Sequence, residues 1–253
     1  MVKSIVIKFY IIIITDRKGD FMNKIESKYI LPNAITATNM FLGFLSITMS
    51  IKENYPLAAW LILLAMVFDA LDGLTARKLN AFSEFGKEFD SFCDSVSFGL
   101  APGILIFSLL SNTTNNFPKE LITPLAFIYA LAGVVRLVKF NVVTTASDSK
   151  DDFSGMPIPN GANLVVSYFL FAEVTGLGVD PKILAIVALG SAVLMVSTIP
   201  FKIPQKIFSF IPQKMLLFVA IAILATAEYS LFPLGLYYVF ANLFTFFSSK
   251  DQD

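Results

Sequence analysis

The sequence predicts an all-α protein, a polytopic bundle of transmembrane helices. Of its 253 residues, 56% are hydrophobic and 15% are charged, whereas soluble domains are about 45–50% apolar and about 25% charged. The apolar residues also come in runs close to the ~20 residues that an α-helix needs to cross a bilayer. Lys and Arg balance Asp and Glu at 19 each, and zero net charge indicates no nucleic-acid partner. This composition excludes a disordered, fibrous or ordinary cytosolic protein.

Eight apolar stretches are candidate membrane spans. Each is long enough, or nearly so, to cross the hydrocarbon core as a helix. They are residues 34–51, 57–79, 90–110, 121–140, 162–177, 183–199, 215–227 and 229–247. The last two are short enough to form a tilted pair or a single hairpin, so we predict six to eight spans.

The positions of Lys and Arg orient these spans. If the N-terminus is cytoplasmic, only Lys52, Lys119 and Lys182 of the 19 basic residues lie on the opposite side, which leaves 16 on the cytoplasmic side. Because basic residues concentrate in cytoplasmic loops, we predict that both termini are cytoplasmic. The expected location is the cytoplasmic membrane of a bacterium or archaeon.

The chain divides into three predicted segments. Residues 1–29 form a cytoplasmic or interfacial lead, residues 30–200 the core, and residues 201–253 further helices with a short tail. Within the lead, residues 5–14 are apolar but only about half a span. They could be part of a signal sequence or an interfacial segment, or the true start could be Met22.

Two composition features limit the possible chemistry. The chain contains no His and a single Cys, Cys93. This excludes Ser-His-Asp and Cys-His sites, imidazole metal sites and an internal disulfide. Catalysis must therefore depend on carboxylates, Lys or Arg, hydroxyl groups or metals bound through oxygen.

Four aspartates lie close together in or beside the predicted spans: Asp69, Asp72, Asp90 and Asp94. Intramembrane carboxylates are rare and cost about 2.5–3.5 kcal/mol each on insertion scales. Residues three or four apart share a helix face, so the aspartates form two pairs. Since the connection between the two helices is short, we expect the four carboxylates to converge at the cytoplasmic edge of the membrane.

Such a cluster needs protonation or bound cations, because neighbouring carboxylates disfavour each other's ionisation. Four negative charges match two divalent ions, and hard oxygen ligands suit Mg²⁺ or Mn²⁺. Two-metal carboxylate sites serve displacement at phosphorus. Gly73 and Gly86 leave room for a bulky ligand beside the carboxylates, and Arg77 could bind a phosphate.

The full pattern is specific. It reads Asp69-Ala-Leu-Asp72-Gly73-Leu-Thr-Ala76-Arg77, then eight residues, Gly86, three residues, Asp90, three residues and Asp94. This run resembles the signature of the CDP-alcohol phosphatidyltransferase family. The resemblance covers the first five predicted spans and weakens after about residue 200. It implies a membrane enzyme, usually a homodimer, that transfers the phosphatidyl group of CDP-diacylglycerol to an alcohol and releases CMP.

The resemblance also implies residue roles. Asp69, Asp72, Asp90 and Asp94 are the expected metal ligands, and Asp94 is also the expected general base. The expected contacts of the CDP-lipid are Asn33, Thr36, Gly73, Ala76, Arg77, Ser83 and Gly86. For Asn33 and Thr36 the alternative is helix capping, which both residue types favour.

Three further segments resemble the branch of this family that uses L-serine as the acceptor. They are residues 95–102, 136–141 and 153–159. Arg136 is the best candidate for the serine carboxylate because guanidinium binds carboxylates bidentately, and Lys139 is second. Both could instead be ordinary snorkelling cations. The alternatives are another acceptor, such as glycerol 3-phosphate, inositol phosphate or choline, and a cation transporter with an acidic site.

Overall fold

The architecture is all-helical, as predicted. The computed structural model describes residues 27–112, 117–146, 153–201 and 226–250. These residues form the helices α1 (Ser27–Ile51), α2 (Tyr55–Lys78), α3 (Glu84–Asp94), α4 (Ala101–Asn112), α5 (Lys119–Ala146), α6 (Ile158–Val174), α7 (Pro181–Val196) and α8 (Ala227–Lys250). A π-helical turn, Ser95–Leu100, joins α3 to α4, and two short strands, β1 (Phe153–Ser154) and β2 (Pro200–Phe201), pair with each other.

In the part of the chain that the structure describes, five helical stretches are long and apolar enough to cross a membrane, so the protein is an integral membrane protein. They are Lys28–Ile51, Tyr55–Lys78, Glu84–Asn112, Lys119–Val142 and Ala227–Ser248. The predicted fifth and sixth spans correspond to the shorter helices α6 and α7, of 17 and 16 residues. The predicted span 215–227 and the predicted lead 1–29 lie almost entirely outside the described residues.

The turn between α2 and α3 places the signature aspartates opposite one another. Helix α2 ends at Lys78, and Asn80 then adopts a positive φ of 46° that reverses the chain. Ser83 caps α3, since its hydroxyl accepts a hydrogen bond from the Gly86 amide at 3.0 Å. The third span therefore begins at Glu84, six residues before the predicted start. Glu84 and Glu88, which precede the predicted start of this span, lie on this helix.

The π-helical turn follows Asp94 directly, and its hydrogen bonding explains how Pro102 is accommodated. Pro102 has no amide hydrogen, so it cannot donate to the carbonyl of Phe98 four residues earlier. In this turn the Ala101 amide donates to the carbonyl of Val96, which lies five residues back, as in a π-helix. The buried Tyr129 hydroxyl of α5 donates to the Phe98 carbonyl at 3.3 Å. The backbone acceptor is thus satisfied within the protein.

Helix α1 packs very closely against this turn. A Cβ atom on Gly43 would lie 2.6 Å from the Cα of Ser97 and 2.5 Å from its Oγ. The buried Ser97 hydroxyl donates to the Asn39 carbonyl at 3.0 Å. Only glycine permits this approach, which sets the spacing between α1 and the helix that carries Asp94.

A short clasp joins the entry to α6 and the exit from α7. Strands β1 and β2 pair antiparallel, with Phe153 opposite Phe201. Gly155 extends the clasp with a φ of +84°, and its amide donates to the Ile199 carbonyl at 2.9 Å. Helix α6 lies in the core, where Ile158, Val165 and Val166 are fully buried.

Candidate functional site

Helices α2 and α3 bring three of the predicted aspartates together. One carboxylate oxygen from each of Asp69, Asp72 and Asp90 lies within 4.8 Å of the others. Asp72 is buried, and the other two are partly buried. The i, i+3 spacing on α2 and the short turn to α3 produce this arrangement, as the sequence predicted.

The donor set of this cluster fits a divalent cation. Among the described residues, Asp72 Oδ2 and Asp90 Oδ1 are buried oxygens without a hydrogen-bond partner. Buried carboxylate oxygens are costly unless they are paired or coordinate a metal. Three hard oxygen donors at this spacing suit Mg²⁺ or Mn²⁺, so the cluster could hold such an ion.

A pocket of about 220 Å³ opens beside the cluster and contains every residue predicted to contact the CDP-lipid. Its lining includes Asp72 and Asp90, which makes the pocket continuous with the acidic cluster. The predicted lining residues are Asn33, Thr36, Gly73, Ala76, Arg77, Ser83 and Gly86. Their juxtaposition was implied by the resemblance, and three segments of the chain supply them.

The capping alternative for Asn33 and Thr36 is wrong. Helix α1 begins at Ser27, so both residues lie inside the helix. The buried Thr36 hydroxyl donates to the Pro32 carbonyl at 3.0 Å and lies beside the Asp72 carboxylate. Asn33 faces α3, since its Oδ1 would lie 3.5 Å from a Cβ atom on Gly86.

Sequence reasoning missed four residues of the pocket lining: Pro32, Ala81, Phe82 and Lys87. Lys87 adds a second cation beside Arg77, and its Nζ donates to the Asn141 carbonyl of α5 at 3.5 Å. Lys87 directly follows Gly86, a predicted contact of the CDP-lipid, and this position could have identified it from the sequence. Phe82 is 67% exposed, which places an aromatic ring at the pocket mouth.

Asp94 is not one of the three carboxylates that lie within 4.8 Å of one another, but it interacts electrostatically with all three. It is buried, and its Oδ1 accepts a hydrogen bond from Asn39 Nδ2 at 3.0 Å. Asn39, on α1, is fully buried and was not predicted. The signal for it was a polar residue three positions after Thr36, on the same face of an otherwise apolar helix.

Of the two predicted acceptor residues, Arg136 is the one near the aspartates. It is buried on α5 and interacts electrostatically with Asp69 and Asp94, and its Cζ lies 5.1 Å from the centre of the Phe140 ring. The Lys139 Nζ instead donates to the Ser197 carbonyl at 3.2 Å, at the end of α7. A contact of Lys139 with the acceptor stays a prediction.

Comparison with known proteins agrees with the signature. The model of the CDP-alcohol phosphatidyltransferase family matches residues 29–203. The match includes the acidic cluster, every residue of the pocket lining and Arg136.

Three similar proteins illustrate the relationship. The chain is 36% identical to a Helicobacter pylori CDP-diacylglycerol–serine O-phosphatidyltransferase over 142 residues, 56% of this chain and 58% of that protein. It is 37% identical to an archaetidylserine synthase of Methanothermobacter thermautotrophicus over 180 residues, 70% and 72% of the two chains. It is 38% identical to a Bacillus subtilis CDP-diacylglycerol–serine O-phosphatidyltransferase over 172 residues, 68% and 89%. The matched region thus spans little more than half of the first of these proteins.

Proposed function

Because the chain belongs to the CDP-alcohol phosphatidyltransferase family, we propose that it transfers the phosphatidyl group of CDP-diacylglycerol to the hydroxyl group of L-serine and releases CMP. The observation that carries this proposal is the pocket beside the three clustered carboxylates, whose lining contains all seven expected contacts of the CDP-lipid. The choice of serine is supported by the names of the similar proteins and by the buried Arg136.

The donor would bind in this pocket. Gly73 and Ala76 present little side-chain volume next to Arg77, whose guanidinium lies within 3.9 Å of where a Cβ atom on Gly73 would be. A pyrophosphate carries negative charge and needs both space and cations. Arg77 and Lys87, which both line the pocket, would supply the cations, and Asn33 and Ser83 would supply polar groups for the nucleotide.

The acidic cluster would hold Mg²⁺ or Mn²⁺. Asp69, Asp72 and Asp90 are the proposed ligands, and the pattern as a whole favours two ions, with Asp94 as a further ligand. When bound, the metal neutralises charge on the phosphates and on the departing nucleotide.

Asp94 is the proposed general base. A bond forms between the serine Oγ and the lipid-linked phosphorus, and the bond from that phosphorus to the CMP oxygen breaks. The Asp94 carboxylate takes the hydroxyl proton, which it must reach through one hydrogen bond or one water. Asn39 holds this carboxylate through Oδ1, which leaves Oδ2 for the proton. Arg136 would bind the serine carboxylate and so orient the attacking hydroxyl.

The assignments of segments and setting follow the same reasoning. Residues 30–200 are proposed as the catalytic core, with 1–29 as its lead and 201–253 as added helices. The site is proposed to face the cytoplasm at the edge of the cytoplasmic membrane. The protein is proposed to be a homodimer, as the family resemblance implies.

Purified protein in detergent with CDP-diacylglycerol and Mg²⁺ or Mn²⁺ provides the test. CMP release is measured with serine, glycerol 3-phosphate, inositol phosphate and water in parallel. We expect serine-dependent release that Asp94→Asn abolishes. The control is Glu173→Gln, which removes an exposed carboxylate at the C-terminal end of α6. Release driven by another acceptor would overturn the assignment of serine as the acceptor. No release with any acceptor would favour the transporter alternative.

A further inference from the structure

We infer that helix α8 completes the acceptor end of the site through Tyr238, which positions the guanidinium of Arg136. The inference rests on the proposed function, because it assigns Arg136 to the acceptor. Helix α8 lies beyond the residues that the family model matches, 29–203. Nothing in the signature therefore predicts that this helix contributes to the site.

The Tyr238 side chain is fixed by its surroundings. It is 5% exposed, and its ring packs against the fully buried Phe201 of β2, with ring centres 5.9 Å apart. The Asn242 side chain, one turn later, is also buried and donates to the Tyr238 carbonyl at 2.8 Å. The ring is thus anchored to the clasp that closes α6 and α7, and its hydroxyl has a defined position.

That hydroxyl points into a polar cluster rather than toward lipid. It is hydrogen-bonded to the side chain of Asn160, in the first turn of α6, and interacts electrostatically with Arg136. A tyrosine hydroxyl that is buried normally finds a polar partner, and here the partners come from α6 and α5. Side chains of three helices therefore meet at the Tyr238 hydroxyl.

Arg136 has limited freedom on its other sides. It is 7% exposed and lies over the Phe140 ring. Its electrostatic neighbours are Asp94 and Asp69 as well as Tyr238. With two carboxylates nearby, the guanidinium would turn toward the acids unless something else holds part of it. The Tyr238 hydroxyl can accept a guanidinium hydrogen bond, and so keep the remaining donors directed to an incoming carboxylate.

This arrangement assigns the Tyr238 hydroxyl an effect on acceptor binding rather than on the chemical step. Loss of a hydrogen bond to a charged group should raise the KM for serine by roughly ten- to hundredfold. Removal of an interaction that is equal in the ground and transition states leaves kcat nearly unchanged. The KM for CDP-diacylglycerol should not change, because its proposed pocket lies between α1, α2 and α3.

The experiment compares Tyr238→Phe with Tyr237→Phe in purified full-length protein. Both variants delete one hydroxyl from α8, but Tyr237 is 50% exposed. The phenylalanine ring keeps the packing on Phe201, so folding is preserved. Asn160→Leu removes the other partner and is expected to act in the same direction. Initial rates of CMP release give KM for each substrate and kcat.

A rise in the serine KM for Tyr238→Phe but not for Tyr237→Phe supports the inference. Equal serine KM values for Tyr238→Phe and wild type overturn it, as does a fall in kcat with both KM values unchanged. If wild type uses a different anionic acceptor, the proposed substrate fails and the same variants are compared on that acceptor. If wild type releases CMP with no acceptor, both proposals fail.

Discussion

At the scale of single residues, the hydrogen bond from Asn39 to Asp94 offers a direct test of the proposed base. Asn39→Leu keeps the size of the side chain but removes the donor. Because hydrogen bonds to charged groups contribute about 1.5–3 kcal/mol, we expect kcat to fall roughly ten- to hundredfold with the KM for CDP-diacylglycerol little changed. Thr38→Val, which removes a hydroxyl bonded within α1, is the control. Unchanged kcat in Asn39→Leu would contradict an orienting role.

The acidic cluster makes a second prediction at this scale. Chelation by EDTA should abolish CMP release, and Mg²⁺ or Mn²⁺ should restore it. Asp90→Asn removes one ligand charge and should lower kcat/KM by about a hundredfold or more, partly recoverable at higher metal concentration. The measurement is a metal titration of activity beside Glu173→Gln. Full activity in the chelated wild-type protein would exclude a metal role.

The acidic residues could be predicted because their spacing is local. Asp69 and Asp72 share a face by helix periodicity, and the short turn dictates that α3 returns beside them. Asn39 and Asp94 are 55 residues apart in the chain, and no local pattern links them. Lys139 is a second such case, since its partner, the Ser197 carbonyl, lies 58 residues away in the chain.

At the scale of elements, the approach of α1 to the π-helical turn depends on Gly43. Gly43→Ala places a Cβ atom 2.6 Å from the Ser97 Cα, so one backbone must move. We expect destabilisation of about 1–3 kcal/mol, seen as a lower thermal midpoint in detergent, together with reduced activity as Asn39 moves from Asp94. Gly190→Ala on α7, with no neighbour within 4 Å of the added atom, should leave both unchanged. Equal midpoints for the two variants would contradict this account.

The helices themselves were largely predictable, whereas their ends and irregularities were not. Apolar runs gave the positions of α1, α2 and α5 because hydrophobic length is a local property. The start of α3 depended on the Ser83 cap, in a stretch too polar to be counted as membrane-spanning. The π-helical turn was not predicted. The Tyr129 hydroxyl that satisfies its Phe98 carbonyl lies 31 residues away in the chain, so no local pattern reveals this bond.

At the scale of the whole molecule, the distribution of Lys and Arg makes a topological prediction. Single cysteines replace two exposed lysines, Lys52 in the turn before α2 and Lys78 at the end of α2. Intact cells are then treated with a membrane-impermeant maleimide. We expect labelling at position 52 only, and labelling at position 78 only after the membrane is opened. The native Cys93 is fully buried and should give little background. The reverse labelling pattern would indicate the opposite orientation in the membrane, with the site on the outer side.

The π-helical turn has a consequence for the angular phase of the helix that contains it. One extra residue in a helix rotates everything beyond it by about 100°. Asp90 of α3 can therefore line the pocket while Leu105 and Leu109 of α4, on the same continuous helix, are buried in the core. Deleting one residue between Ser95 and Leu100 would remove this rotation between α3 and α4. With α4 held in the core, Asp90 would then turn away from the pocket. The number of residues in this turn is thus a requirement of the site, independent of which side chains it carries.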